Sequence, residues 1–151
     1  MPNPSATTED CVEAVRHSKV KVEEQGRKAV FLNPDQALIK KVHVDGCLMT
    51  GTGPKADYIV SKPGVVDVIV ELKGKDVPHA RDQIVATLPV WRAHPPFSSK
   101  IAGLIVCSRS PLSSSELQIM KAKALIRHKL WLEVDESGKK EYRFSTFEQI
   151  S

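Results

Sequence analysis

The chain has no apolar run approaching the roughly 20 residues of a membrane-spanning helix. Its opening stretch, MPNPSATTEDC, has no basic segment followed by an apolar one, so no secretory leader is expected and the expected compartment is the cytoplasm. Cysteine is scarce: Cys11, Cys47 and Cys107 are scattered, odd in number, and form no C-x-x-C pair. Neither a disulfide framework nor a zinc knuckle is expected, and reduced thiols fit a cytoplasmic protein. His17, His43, His79, His94 and His128 show no metal-ligand spacing and read as ordinary surface or core histidines. No internal repeat or low-complexity tract is present beyond Ser113–Ser115.

What is present suits one domain over residues 1–151, with a single core. The hydrophobic fraction of 41% and the charged fraction of 26% are ordinary for a soluble globular protein. A formal net charge of +4 is compatible with a polyanionic partner and does not by itself point to one.

Local patterns set out the elements. Thr7 or Thr8 caps a short helix over EDCVEAVRH, with Glu9 and Asp10 in its first turn. KVKVEE, GRKAVFL and ALIKKVHV read as strands separated by Gly26 and NPDQ. CLMTGTGPK is a loop, followed by the strands ADYIV and VVDVIVELK around the turn SKPG. In DVPHARDQIVATLPVWRAH, Val77, Ala80, Ile84, Leu88 and Trp91 recur at helical spacing. Asp76 is its expected N-cap, and Pro89 is expected to kink or end it. AGLIVCS is a short buried strand. SPLSSSELQIMKAKALIRH is a serine-capped helix with a Leu117, Met120, Ala124 stripe, and KLWLEVDESGKKEYRFSTF reads as a terminal hairpin. One mixed sheet with helices packed on it is the simplest architecture.

The best strand carries charge. Along Val65–Lys73, period two puts Val66, Val68, Val70 and Leu72 on one face, which is expected to meet a helix. Asp67, Glu71 and Lys73 share the other face with Val65 and Ile69. That face is expected to turn polar towards its end, so the strand would not be uniformly buried. If the hairpin is centred on Gly64, Asp57 lies opposite Glu71; a strict two-residue Pro-Gly turn would pair it with Val70 instead. Opposed carboxylates repel unless a cation joins them, and a hard divalent ion such as Mg²⁺ takes such oxygen ligands. A lysine beside them can orient an attacking water.

Asp57, a gap of thirteen residues, then Glu71-Leu72-Lys73 resembles the core motif of the PD-(D/E)xK nuclease superfamily. That group includes restriction endonucleases, Holliday-junction resolvases and phage-type exonucleases. The resemblance implies a restriction endonuclease-like α/β core over about residues 37–108, with a mixed central β-sheet flanked by helices. Around that core it leaves extra N-terminal strands and the C-terminal hairpin. It implies Mg²⁺- or Mn²⁺-dependent hydrolysis of DNA phosphodiesters. Asp57 and Glu71 would bind the metal with the Leu72 carbonyl, and Lys73 would position the water. Gln83 resembles the polar helix residue found after the motif. The family often adds a Glu from its first helix, here Glu13 or, second, Glu24. A homodimer is plausible on the same ground. Asp57 follows Ala56 where proline is usual.

Plainer readings stand beside these. Asp57, Glu71 and Lys73 also fit strand-end charges facing water, and His79 and Gln83 fit solvated helix residues. GTGPK lacks the full phosphate-loop pattern and reads as a flexible loop near the cleft. Lys40, Lys41, Lys55, Lys73 and Lys75 would line a DNA track, though a solvated basic face explains all but Lys73. The competing function is a non-catalytic module on the same fold, binding nucleic acid or a protein.

Overall fold

The strand Val66–Leu72 organises the molecule because both its faces need cover, and each receives it from a different layer. The computed structural model describes residues 8–72, 76–108, 112–138 and 140–149. A 3-10 turn, Thr8–Cys11, leads into β1 (Val12–Val15), β2 (Lys19–Glu24), β3 (Arg27–Leu32), β4 (Ile39–His43), β5 (Tyr58–Lys62) and β6 (Val66–Leu72). Then come α1 (Val77–Arg92), β7 (Ile101–Val106), α2 (Ser114–His128), β8 (Trp131–Asp135), β9 (Glu141–Arg143) and a 3-10 turn, Phe144–Phe147.

The main sheet has six strands in the order β1-β4-β5-β6-β7-β8. It is antiparallel from β1 to β6 and parallel from β6 to β8. The parallel crossovers run through α1 and α2. Right-handed crossovers advancing in one direction put their helices on one side of the sheet, and both helices share one core with Ile59, Ile69 and Ile105. The opposite face packs on a second sheet, β2-β3-β9, whose core joins Val20, Val22 and Phe31 to Val66, Val68 and Val70. The fold is therefore mixed α/β in three layers, with two sheets rather than the single sheet expected. The all-apolar face of β6 meets that second sheet, not a helix. β6 is buried at every residue, so its helix-side face does not open to water towards the end.

Two further expectations fail for tertiary reasons. The segment EDCVEAVRH forms no helix: β-branched Val12 and Val15 extend it as an edge strand against β4. The terminal hairpin is absent, because β8 pairs in parallel with β7 while β9 pairs in parallel with β3. β8 and β9 touch instead through the Tyr142 hydroxyl, which donates to Asp135 Oδ2 at 2.6 Å.

The helices follow their sequence signals closely. Val77, Ala80, Ile84, Leu88 and Trp91 are all buried, and Asp76 caps α1 by accepting the His79 N–H at 3.0 Å. Pro89 falls in the last turn, and the helix continues through it to Arg92. α2 begins with a capping box between Ser113 and Glu116 and buries Met120 and Ala124. At Gly103 on β7, an added Cβ would sit 3.0 Å from Leu132 Cδ1 and 3.1 Å from Ile84 Cγ2. Glycine there lets α1 approach the sheet closely.

Cys11 and Cys47 form a disulfide, which corrects the expectation of reduced thiols; Cys107 is free and buried. The bond ties the start of β1 to the loop after β4. Structural disulfides belong to oxidising compartments, so the cytoplasmic expectation loses the support it drew from cysteine. No helix among the described residues is long and apolar enough to cross a membrane.

Candidate active site

The β5–β6 hairpin sets the geometry. Lys62-Pro63-Gly64-Val65 forms a turn closed by the Val65 N–H on the Lys62 carbonyl at 2.9 Å, with Gly64 at φ +78°. Pro then Gly at the two central positions is the type II signature. The loop between the paired residues Lys62 and Val66 has an odd length, and the register runs to Tyr58 opposite Val70. The next position on β6 is Glu71, so the alternative that pairs Asp57 with Val70 is the one the register excludes.

Asp57 does not simply continue the alternation. Its N–H bonds the Val70 carbonyl at 3.1 Å, and its own carbonyl takes the Val44 N–H at 3.1 Å. Ala56 and Ile59, an odd three residues apart, both join the helix-side core. The strand is therefore bent at Asp57–Tyr58. The bend turns the carboxylate across the ladder, where Oδ2 accepts the Leu72 N–H at 2.8 Å. A side-chain oxygen thus replaces a backbone acceptor at the end of β6, touching the amide that joins Glu71 to Leu72.

Glu71 lies two residues after Ile69 and so faces the helix side. It is 3% exposed. A carboxylate buried this deeply is stable only with compensating charge or hydrogen bonds. Lys73 and Lys75 lie outside the described residues.

Helix α1 holds the approach to Asp57. Gln83 Nε2 donates to the Lys55 carbonyl at 3.1 Å, and the Ala56 N–H donates to Thr87 Oγ1 at 2.9 Å. Gln83 Oε1 is buried with no hydrogen-bond partner. Thr87 was not singled out from sequence. Its signal is a hydroxyl in the otherwise apolar Ile84–Leu88–Trp91 stripe, one turn after Gln83. Lys55 folds its ammonium onto the Gly51 and Gly53 carbonyls at 2.6 and 2.7 Å, which gives the GTGPK loop a defined shape. Between this loop and α1 lies a cleft of about 640 Å³, bounded by Asp45, residues 51–55, His79, Asp82 and Gln83.

The other candidates scatter. Glu13 sits exposed on β1, three strands from β6 in the sheet order, and stands opposite Lys41. Glu24 comes closer: Tyr58 donates its hydroxyl to the Glu23 carbonyl at 2.8 Å. Burial first, then the charges of Glu24 and Asp57, push the Tyr58 hydroxyl pKa upward. Lys40 and Lys41 are successive on β4 and point to opposite faces, so they cannot share one track.

Asp57, Glu71 and the Leu72 carbonyl are hard oxygen donors of the class Mg²⁺ takes, and the Leu72 N–H already fixes one carboxylate beside the residue bearing the third donor. By donor chemistry the set fits the ion. Among the described residues, no three His, Cys, Asp or Glu side chains gather where a metal could sit. An ion here would therefore take two carboxylates, a backbone oxygen and water. No family model, curated protein or solved structure matches the chain.

Proposed function

We propose that the protein is a Mg²⁺-dependent nuclease that hydrolyses DNA phosphodiesters on a restriction endonuclease-like core. The observation that carries this reading is the Asp57 carboxylate seated on the amide after Glu71, at the carboxyl end of a central strand. The order β4-β5-β6, α1, β7 supports it, being a three-strand meander, a helix and a strand. The helix that leads the family core has no counterpart here; a 3-10 turn and β1 stand in its place.

In this reading Mg²⁺, when bound by Asp57, Glu71 and the Leu72 carbonyl, supplies a Lewis acid that acidifies water and neutralises phosphate charge. The rest falls to the chain. The bend at Asp57 orients one carboxylate, and α1 holds that bend through Gln83 and Thr87. Gln83 Oε1 offers an acceptor for a water proton. The loop 51–55 brings positive charge to the cleft wall, and Lys73 positions the water as the resemblance implies.

The test is cleavage of duplex, branched and single-stranded DNA with Mg²⁺, Mn²⁺ or EDTA. Cutting should require the metal. Glu71→Gln and Lys73→Ala should each abolish it while leaving the circular dichroism unchanged. Cleavage that survives both substitutions would overturn the assignment.

The depth of Glu71 and the engagement of Asp57 by backbone favour a second reading, a non-catalytic module that binds nucleic acid or protein in the same cleft. It predicts DNA binding that falls steeply with salt, without cleavage in any metal.

A further inference from the structure

Helix α2 uses one side for the core and leaves a second apolar line on the other. Met120 and Ala124 are buried against the sheet, with Leu117 packed beside them. Ser115, Ile119, Ala122 and Ile126 follow one another at spacings of four, three and four. That rhythm keeps a single seam along a helix. The seam points away from the sheet: Ile119 is 56% exposed and Ile126 81%. Leu125 widens it towards Trp131 and Leu132, where a dent of about 230 Å³ lies between helix and edge strand. A lone exposed isoleucine means little. Two on one seam, with a small residue between them, match the face a helix presents to another helix.

We infer that this seam packs against α2 of a second copy of the chain, antiparallel, about a two-fold axis near Ala122. Charge identifies the occupant. Glu116 and Lys123 flank the seam on the same side, seven residues apart. In an antiparallel pair, like flanks meet and run in opposite directions. Glu116 of each copy then faces Lys123 of the other, and the two-fold makes the contact twice. A parallel pair would set that flank against Gln118 and Leu125, which offer no opposite charge. Ala122 at the crossing lets the backbones approach. Sheet extension through the free edge of β8 is disfavoured, since Glu133 at the middle of β8 would meet its own copy. The interface is independent of the chemistry at Asp57.

Sedimentation equilibrium on the full chain tests this, from about 1 to about 500 µM, the range in which modest symmetric interfaces assemble. The wild-type chain should form a dimer with rising concentration. Ile119→Glu with Ile126→Glu should be monomeric throughout, with unchanged circular dichroism. Lys123→Glu and Glu116→Lys should each weaken self-association by about tenfold or more, the effect of about one lost charge-pair set. An equimolar mixture of those two variants should recover the dimer, because each helix now complements the other. A wild-type monomer at every concentration would overturn the inference in favour of a different partner. A dimer indifferent to Ile119 and Ile126, or a mixture that fails to recover it, would overturn it as well.

Discussion

Strand β6 carries two buried acids, and the molecule treats its two ends differently. At the Asp67 end everything closes. Asp67 is fully buried, and its Oδ1 accepts the Ser61 and Ser98 hydroxyls, each at 2.6 Å. Its Oδ2 accepts the Trp91 Nε1–H and the Ser98 N–H, each at 2.8 Å. The carboxylate thereby ties the hairpin, the end of α1 and the loop before β7 into one knot. At the Glu71 end the strand beside it bends, a side chain replaces a backbone acceptor, and loop and helix draw apart around a cleft. An acid within an apolar run is thus no sign of function in itself. What separates the ends is whether the local structure has spent its donors on the carboxylate or has rearranged its backbone to present it.

The sharpest way to break this comparison is at Asp67. Asp67→Ala should cost about 3–5 kcal/mol in denaturant unfolding, because four donors lose their acceptor in a dry site. Asp67→Asn should cost about 1 kcal/mol or less, since the two serine hydroxyls can rotate to accept from the amide NH₂. Equal losses for the two variants would mean that the negative charge, rather than the hydrogen bonds, holds the knot.

The disulfide comes next in size. Replacing Cys11 and Cys47 together by serine should cost about 3–4 kcal/mol on the chain-entropy account, and should loosen the loop 44–55 more than the Asp67 knot. Proteolysis confined to that loop is the readout. Cys107 sharpens the same experiment. Burial first, then Glu136 and Asp135, push its thiol up to about 11. Near neutral pH it therefore stays protonated and slow to react. Alkylation of the native chain should label no cysteine before reduction, and Cys11 and Cys47 after it.

Thr87→Val should cost about 1–2 kcal/mol by orphaning the Ala56 N–H. If the Glu71 end is the working one, cleavage should fall by more than this loss of stability accounts for. Asp57→Asn should have the smallest effect on folding, within about 1 kcal/mol, because an amide oxygen still accepts the Leu72 N–H. Isothermal titration with Ca²⁺ should nevertheless lose its signal. A variant that keeps full metal affinity would place the ion elsewhere.

Much of the fold was legible because its signals are local. The caps Asp76 and Ser113, the α1 stripe and the Pro63-Gly64 turn each depend on a few neighbouring residues. The second sheet was not legible. The alternation in KVKVEE identifies a two-faced strand but not the layer it covers, and β3 finds its third partner only through Glu141–Arg143, over a hundred residues away. The terminal segment misled because ESGK has hairpin chemistry, while long-range parallel pairing decided where β8 and β9 went. The disulfide was hidden because 36 residues separate its cysteines and a third is left over. At the candidate site, spacing brought Asp57 towards Glu71. Spacing carried no trace of the bend that turns the carboxylate, since that bend is held by Gln83 and Thr87 from another element.

The placement of β9 also orders events during synthesis. Phe31 emerges early, yet its ring partners Tyr142, Phe144 and Phe147 lie near the other end of the chain. Until those residues leave the ribosome, the early hairpin has only part of its aromatic packing, while β6 already presents Val66, Val68 and Val70 on the same side. The nascent chain therefore carries exposed apolar surface through most of its translation. The segment that closes it is among the last to arrive, which makes this the interval in which a holding chaperone has most to do.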